Sequence, residues 1–187
     1  MMKFVRSVPM ATSGLALGLA ALGNLLLPLG AEVRYVCGVL SFIVLIVFAL
    51  KIFLDFPHAR EELKTPVPLS VLPTSTMALM LLCTYIRPFA GDIALYLWYA
   101  AVVTHIFIML VFIKRFIIGF KIDTVYPSWF VAFVGIVTAF RLGNAFLVEQ
   151  GVDFFAPVAF ISMWIAVVIV SYVLIHYVRF FRFVLKF

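Results

Sequence analysis

An arginine inside an apolar segment is the residue of this sequence best placed to act on a charged solute. On a helix, Arg141 shares one face with Phe130, Phe133, Val137 and Asn144, because the steps along that face are three or four residues. A fixed guanidinium at that depth raises the local concentration of anions and opposes cations. The competing interpretation is that Arg141 extends to the polar surface of a membrane or pairs with Glu149.

The other residues with reactive or metal-binding side chains are scattered. His58, His105 and His176 share no ligand spacing, and Cys37 and Cys83 each lie within an apolar run. The sequence therefore predicts neither a disulfide framework nor a metal site. His105 falls in the middle of an apolar segment, where ionisable groups are costly and often functional, although a hydrogen bond to a neighbouring carbonyl is the simpler interpretation.

Motifs of known catalytic or nucleotide-binding sites are missing from the sequence. It contains no Gly-x-Ser-x-Gly, no His-Glu-x-x-His, no phosphate-binding glycine loop and no Cys-x-x-Cys. We therefore expect no enzyme activity, no catalytic residues and no cofactor.

Composition identifies the solvent in which the chain folds. Hydrophobic residues make up 66% of the 187 residues and charged residues 12%, and the mean hydropathy is +1.24. Soluble domains are roughly half apolar and a quarter charged, so the chain is predicted to be an integral membrane protein. The net charge of +6 does not indicate nucleic-acid binding, because the basic residues lie at the ends of apolar runs.

The apolar runs predict an all-α integral membrane fold of six transmembrane helices. They cover approximately residues 8–27, 34–55, 67–86, 92–118, 127–147 and 154–178. The first run has a basic start but no convincing cleavage site, so we interpret it as a retained helix rather than a signal peptide. Short breaks between the runs predict that consecutive helices are antiparallel neighbours.

Basic residues predict the orientation of the chain. With the N-terminus in the cytoplasm, 11 of the 14 Lys and Arg residues lie on the cytoplasmic side, and only Arg34, Arg87 and Arg141 lie outside. Lys and Arg concentrate on the cytoplasmic side of membrane proteins. We therefore expect a multi-pass protein of the inner cell membrane with both termini in the cytoplasm.

Three prolines reveal a repeat. Pro9, Pro68 and Pro127 are each separated by 59 residues and each opens an odd-numbered span. This spacing predicts a single transmembrane domain built from three antiparallel hairpins, although coincidence would also explain three prolines in step. The hairpins cover approximately residues 8–57, 67–118 and 127–183.

The odd-numbered and even-numbered spans differ in composition. The first span carries the pair Gly14 and Gly18, and the third carries an interior Pro73 with Ser70 and Thr74 on one face. The even-numbered spans are bulky and uniformly apolar. We therefore expect kinked odd helices inside and even helices facing lipid, unless the small and polar faces serve only to join helices.

Several segments resemble the tellurite-resistance/dicarboxylate transporter family, which includes the slow anion channels of plant guard cells and fungal malate and sulfite transporters. The similar segments are residues 8–16, 22–24, 66–74 and 127–135. The resemblance implies a pore surrounded by five hairpins, that is ten helices, with the odd helices inside. The pore-lining candidates on this chain are Pro9, Thr12, Ser13, Gly14, Ser70, Pro73, Thr74, Phe130, Phe133, Arg141 and Asn144.

The chain departs from the family in having six predicted spans. A fourth repeat would open near residue 186, so the chain is expected to correspond to the first three hairpins. The phenylalanine that plugs the pore in this family lies on the ninth helix, and it corresponds to no residue here. A complete ring would need a second copy of the chain or a separate chain.

The expected function is channel-like transport of small anions, either C4-dicarboxylates such as malate or inorganic anions. No Asp or Glu lies near the centre of a span, which favours passive passage over proton coupling. Two alternatives remain open. The chain is either an inactive or partial fragment of such a transporter, or a membrane scaffold or accessory subunit that transports nothing.

Overall fold

The computed structural model describes residues 6–118 continuously and selected positions beyond them. Those further positions are 128–129, 131, 133–135, 137, 160, 164, 167–168, 171–172, 174–175 and 178. Throughout this described part the regular secondary structure is helical, which confirms the predicted all-α class.

The apolar runs of the sequence form long helices, separated by short turns and two short helices. The helices are α1 (Thr12–Leu25), α2 (Ala31–Leu54), α3 (Phe56–Glu62), α4 (Pro66–Val71), α5 (Pro73–Ala90) and α6 (Asp92–Phe112). A 3₁₀ turn precedes α2 at Leu27–Leu29, and a π-helical turn follows α6 at Ile113–Ile117. By length and composition, Ala31–Leu54, Pro66–Ala90 and Asp92–Phe116 are able to cross a membrane, and Thr12–Leu25 is a shorter apolar helix.

Two glycine turns lie at one end of the helical bundle. Gly30, with φ 141°, precedes α2, and Gly91, with φ 49°, connects α5 to α6. Glycine suits both positions because it has no Cβ to clash at positive φ. We call this side of the bundle the Gly91 end, and we call the opposite side, where α2 finishes, the Lys51 end.

Helix α5 lies at the centre of the described bundle. It packs against α1, α2 and α6, and α1 also packs along α2. The apolar stretch of the third span is 67% buried, whereas the apolar stretches of the second and fourth spans are each 28% buried. The large apolar side chains of α2 and α6 therefore face outward, as expected for helices whose solvent is lipid.

The third span is interrupted at Leu72, as Pro73 predicts. Proline cannot donate a backbone hydrogen bond, and its ring disturbs the preceding turn. Hydroxyl oxygens of Thr74, Ser75 and Thr76 lie 2.8, 2.8 and 2.7 Å from the carbonyl oxygen three residues earlier in each case. These side chains supply hydrogen bonds to the backbone at the interruption.

The structure corrects two of the predicted breaks. Residues 87–90, expected to be a turn, continue α5 to Ala90, and the expected loop between the second and third spans contains α3. Pro88 occupies the last turn of α5, where it leaves the carbonyl of Thr84 without its helical donor. The guanidinium of Arg34 supplies the missing donor, since its Nη2 lies 3.1 Å from that oxygen.

Candidate functional site

Hydroxyl side chains from three spans form two hydrogen-bonded pairs between the helices, one on each side of the interruption at Leu72. Ser13 of α1 lies 2.7 Å from Thr74 of α5, and Ser70 of α4 lies 2.7 Å from Ser128, measured between hydroxyl oxygens. Ser13, Ser70 and Thr74 are almost fully buried. We call these four residues the hydroxyl cluster. It brings together three of the predicted pore-lining candidates and adds Ser128, which was not among them.

The protons of the hydroxyl cluster have more acceptors than they can serve. Ser13 Oγ lies 2.9 Å from the Met10 carbonyl oxygen, and Thr74 Oγ1 lies 2.8 Å from that of Val71. Together with the contact between them, the Ser13 and Thr74 hydroxyls make three short contacts. They have only two protons for these contacts, because each hydroxyl donates one. The Thr74 proton can therefore point either to the backbone or to Ser13.

Pro73 and Phe133, two other candidates, are also buried. Pro73 lies at the helix interruption. Phe133 packs in an apolar cluster with Phe112 and Trp129, and the rings of Phe112 and Phe133 lie 6.4 Å apart in an edge-to-face arrangement. Phe133 thus contacts the fourth span, where such a ring pair stabilises the packing of the two spans.

The candidates at the start of the first span are more accessible. Pro9 is exposed, and its carbonyl accepts a hydrogen bond of 3.1 Å from the Thr12 amide at the start of α1. Thr12 and Gly14 are half-buried. A Cβ added at Gly14 would meet no described atom within 4 Å, so this face of α1 is open in the described part of the chain. Three further candidates, Phe130, Arg141 and Asn144, lie outside the described residues.

His105 links the fourth span to the third and fifth. Its Nδ1 lies 2.8 Å from Thr76 Oγ1, which in turn lies 2.7 Å from the Pro73 carbonyl oxygen. The Thr76 hydroxyl has one proton, so two arrangements fit this geometry: it donates to the carbonyl and accepts from a protonated Nδ1, or it donates to an unprotonated Nδ1. A Cβ at Gly135 would overlap the His105 ring and the Met77 sulfur, so only glycine permits this close packing. Sequence reasoning had favoured a carbonyl as the partner of His105.

Arg34 joins three helices at the Gly91 end, a role that the sequence analysis missed. Its Nε lies 2.9 Å from Asn24 Oδ1, and its guanidinium carbon lies 4.3 Å from the centre of the Tyr85 ring. With its hydrogen bond to Thr84, the side chain contacts α1 and α5 from its own place on α2. The signal in the sequence was Pro88. Because proline has no amide proton, it predicts that the Thr84 carbonyl, four residues earlier, lacks its helical hydrogen bond.

Lys51 has the corresponding position at the opposite end. Its side chain is 1% exposed, and its Nζ lies 2.8 and 2.9 Å from the two carboxylate oxygens of Glu62 and also donates to the Val8 carbonyl. Lys51 thus joins α2 to α3 and to the segment before α1. Asp55, four residues later, is paired with Arg6 at 3.2 Å.

Two further ionic contacts lie at the surface of the Lys51 end, between Lys64 and Glu61 and between His58 and Glu62. A hydrogen bond from Lys64, together with its positive charge, lowers the pKa of Glu61 below its ordinary value. Among the described residues, no group of three or more His, Cys, Asp or Glu side chains is placed to hold a metal ion. Cys37 and Cys83 are buried free thiols.

These features define a helical membrane protein whose buried polar groups are mainly neutral hydroxyls. The sequence matches the family model described as voltage-dependent anion channel over residues 5–186. Because the match spans almost all of its length, the chain belongs to this family, which confirms the resemblance seen in the sequence. Members of the family are channels and transporters rather than enzymes, so membership implies anion transport in a membrane. Comparison with curated proteins gave no match to the chain.

Proposed function

We propose that the chain provides a passive, channel-like pathway for small anions, either C4-dicarboxylates such as malate or inorganic anions such as chloride. The observation that carries this proposal is the family match over residues 5–186. The proposed pathway runs along the odd-numbered spans and includes the hydroxyl cluster.

The chemistry of the hydroxyl cluster supports this proposal. Neutral donors stabilise an anion without holding it as tightly as a fixed charge, and conduction requires binding that is weak enough to release the ion. The Thr74 proton has two alternative acceptors, so it can turn toward an anion while its neighbours keep their own hydrogen bonds. None of the eight Asp and Glu residues falls near the centre of an apolar run, where it would repel anions.

Burial supports the proposed ring of hairpins. In that ring α1 and α5 belong to the inner wall and α2 and α6 to the outer wall, consistent with the greater burial of the third span. The open face of α1 at Gly14 would then be directed toward the pore. Residues outside the described part, in particular Arg141, would attract anions. Replacing Arg141 with Gln is expected to lower anion flux, whereas Lys should largely preserve it, because the charge is what acts.

Anion flux through reconstituted protein tests the proposal. The chain is reconstituted in liposomes, and chloride and malate flux are measured beside potassium flux. Thr74→Val removes the hydroxyl of the cluster and keeps the shape of the side chain, so we expect a severalfold loss of anion flux. Thr104→Val is the matched control, because Thr104 donates to the Ala100 carbonyl at 2.8 Å on an exposed face of α6.

Two outcomes would contradict the proposal. Equal flux of anions and cations would show a leak rather than an anion pathway. A folded protein without anion flux would favour the alternatives of a partial pore or a scaffold, and recovery of flux on adding a second chain would separate the first alternative from the second. An unchanged flux in Thr74→Val would place the pathway away from the hydroxyl cluster.

A further inference from the structure

A groove opens on the side of the bundle, away from the hydroxyl cluster. It lies between α2, α5 and α6, in the half of these helices nearest the Gly91 end, and it encloses about 270 Å³. The atoms that line it are all apolar, and Gly38 and Cys83 are among its residues. We call it the lateral groove. None of the described residues after Phe112 lines it.

We propose that the lateral groove binds one acyl chain of a membrane phospholipid. All three helices that form the groove belong to segments long and apolar enough to cross a membrane. A groove on the outside of such helices faces the hydrocarbon of the bilayer, where irregular apolar surfaces are filled by lipid chains. The volume approaches the lower end of the range of small-molecule sites, and an apolar wall suits a hydrocarbon chain.

The rim of the groove favours a lipid over a helix from a second copy. Helices associate in membranes through small residues that let backbones approach closely. The rim carries large side chains instead, since Val39, Phe42 and Phe89 are 58%, 53% and 79% exposed. These side chains would hold a second helix away, whereas a flexible acyl chain can pass between them.

The Gly91 end of the groove suits a phospholipid headgroup. The rings of Tyr35 and Phe89 lie 5.8 Å apart and line the groove toward the Gly91 end, and aromatic residues commonly mark the membrane interface. The guanidinium carbon of Arg34 lies 5.9 Å from the Tyr35 ring centre. In the described part of the chain, the hydrogen-bond acceptors of Arg34 are neutral oxygens, so its charge is available to attract a phosphate. Glu32 lies in the first turn of the same helix, so the mixed charge suits a zwitterionic headgroup.

Photolabelling in a defined bilayer tests this site. The full chain is placed in nanodiscs of phosphatidylcholine that include a phosphatidylcholine with a diazirine on one acyl chain, and labelled residues are mapped by mass spectrometry after irradiation. We expect strong labelling at Val39, Ile86 and Leu97, which line the groove. Val103 and Phe107 of α6 lie outside the groove and are 67% and 65% exposed, so they report ordinary contact with lipid.

A matched pair of substitutions makes the test specific. Val39→Trp fills the groove from its rim and is expected to lower the labelling of Ile86 and Leu97 about tenfold, as losing the burial of about two methylene groups implies. Val36→Trp is the control, because Val36 lies on the same helix, is 59% exposed and does not line the groove. Thermal unfolding of both variants verifies that the fold is retained.

Uniform labelling of the groove and of the Val103 face in the unaltered chain would overturn the proposal without any variant. Equal effects of Val39→Trp and Val36→Trp would also overturn it. Cross-links between two chains at groove residues, in place of lipid adducts, would assign the groove to an interface between copies. Because labelling is measured without flux, the result is independent of the proposed anion transport.

Discussion

Two basic side chains at opposite ends of α2 hydrogen-bond backbone carbonyls in other segments. Arg34 donates to Thr84 at the Gly91 end, and Lys51 donates to Val8 at the Lys51 end. A charged donor binds a carbonyl more strongly than a neutral one, and inside a membrane little water is present to replace it. Each residue therefore fixes the position of a neighbouring segment, in addition to marking the end of a span.

Arg34 and Pro88 should be energetically coupled. Replacing Arg34 with Gln is expected to lower the free energy of unfolding in detergent micelles by about 2 kcal/mol, because a charged hydrogen bond to the Thr84 carbonyl is lost. Pro88→Ala restores a backbone donor to that carbonyl. In the Pro88→Ala protein, the decrease in the free energy of unfolding caused by Arg34→Gln should therefore be smaller by about 1 kcal/mol. Arg60→Gln, at an exposed position, is the control, and strictly additive effects of the two changes would contradict the coupling.

Lys51 and Lys64 offer a matched comparison of a buried and an exposed ion pair. Lys51→Met leaves the carboxylate of Glu62 and the Val8 carbonyl without their donor, and we expect a loss of about 3 kcal/mol in the free energy of unfolding. Lys64→Met breaks an exposed pair with Glu61 and should leave the free energy of unfolding almost unchanged, because water screens this pair. Chemical unfolding of both variants measures the difference, and similar losses would show that burial of Lys51 contributes little.

At the scale of helices, the interruption at Leu72 places the two arms of the hydroxyl cluster. Ser70 precedes the interruption and contacts Ser128, whereas Thr74 follows it and contacts Ser13. A continuous helix through this region would change the direction of α4 relative to α5. The proline thus controls which neighbours the hydroxyl groups reach.

Pro73→Ala should therefore separate the cluster. With an amide restored at position 73, the third span is expected to become continuous, and the distance between Ser13 and Thr74 or between Ser70 and Ser128 should increase. Disulfide cross-linking of cysteines placed at each pair measures this, and we expect a lower yield together with lower anion flux. Pro68→Ala is the control, because Pro68 lies in the first turn of α4, where a missing amide matters little. Unchanged cross-linking in Pro73→Ala would contradict this role.

Sequence patterns predicted the positions of the helices better than they predicted the contacts between helices. Hydropathy located the second, third and fourth spans, and the rules for proline predicted the interruption before Pro73, because both depend on local properties. The seven-residue α3 was missed, since it is too short to show a clear periodicity. Ser70 and Thr74 could be assigned to one face, but their partners Ser13 and Ser128 lie 61 and 58 residues away and depend on tertiary packing.

At the scale of the molecule, the asymmetry of basic residues predicts which end of the bundle faces the cytoplasm. With Cys37 and Cys83 replaced, single cysteines are introduced at His58 near the Lys51 end and at Leu29 near the Gly91 end, both exposed positions. In intact cells an impermeant thiol reagent should label Leu29→Cys and not His58→Cys. After the membrane is opened, both should react. Labelling of His58→Cys from outside would reverse the orientation.

The hydrogen bonds of Arg34 also have a consequence for the order of events during synthesis. Asn24, one of its partners, is made ten residues before it, but Thr84 follows fifty residues later. While the first hairpin enters the membrane, the guanidinium has only its local partner, and it must remain near water or lipid phosphates until the third span arrives. Assembly of the bundle at this end is therefore completed from the later span. Ribosome-bound chains that stop before and after Thr84 should differ in the reactivity of a cysteine at Tyr35.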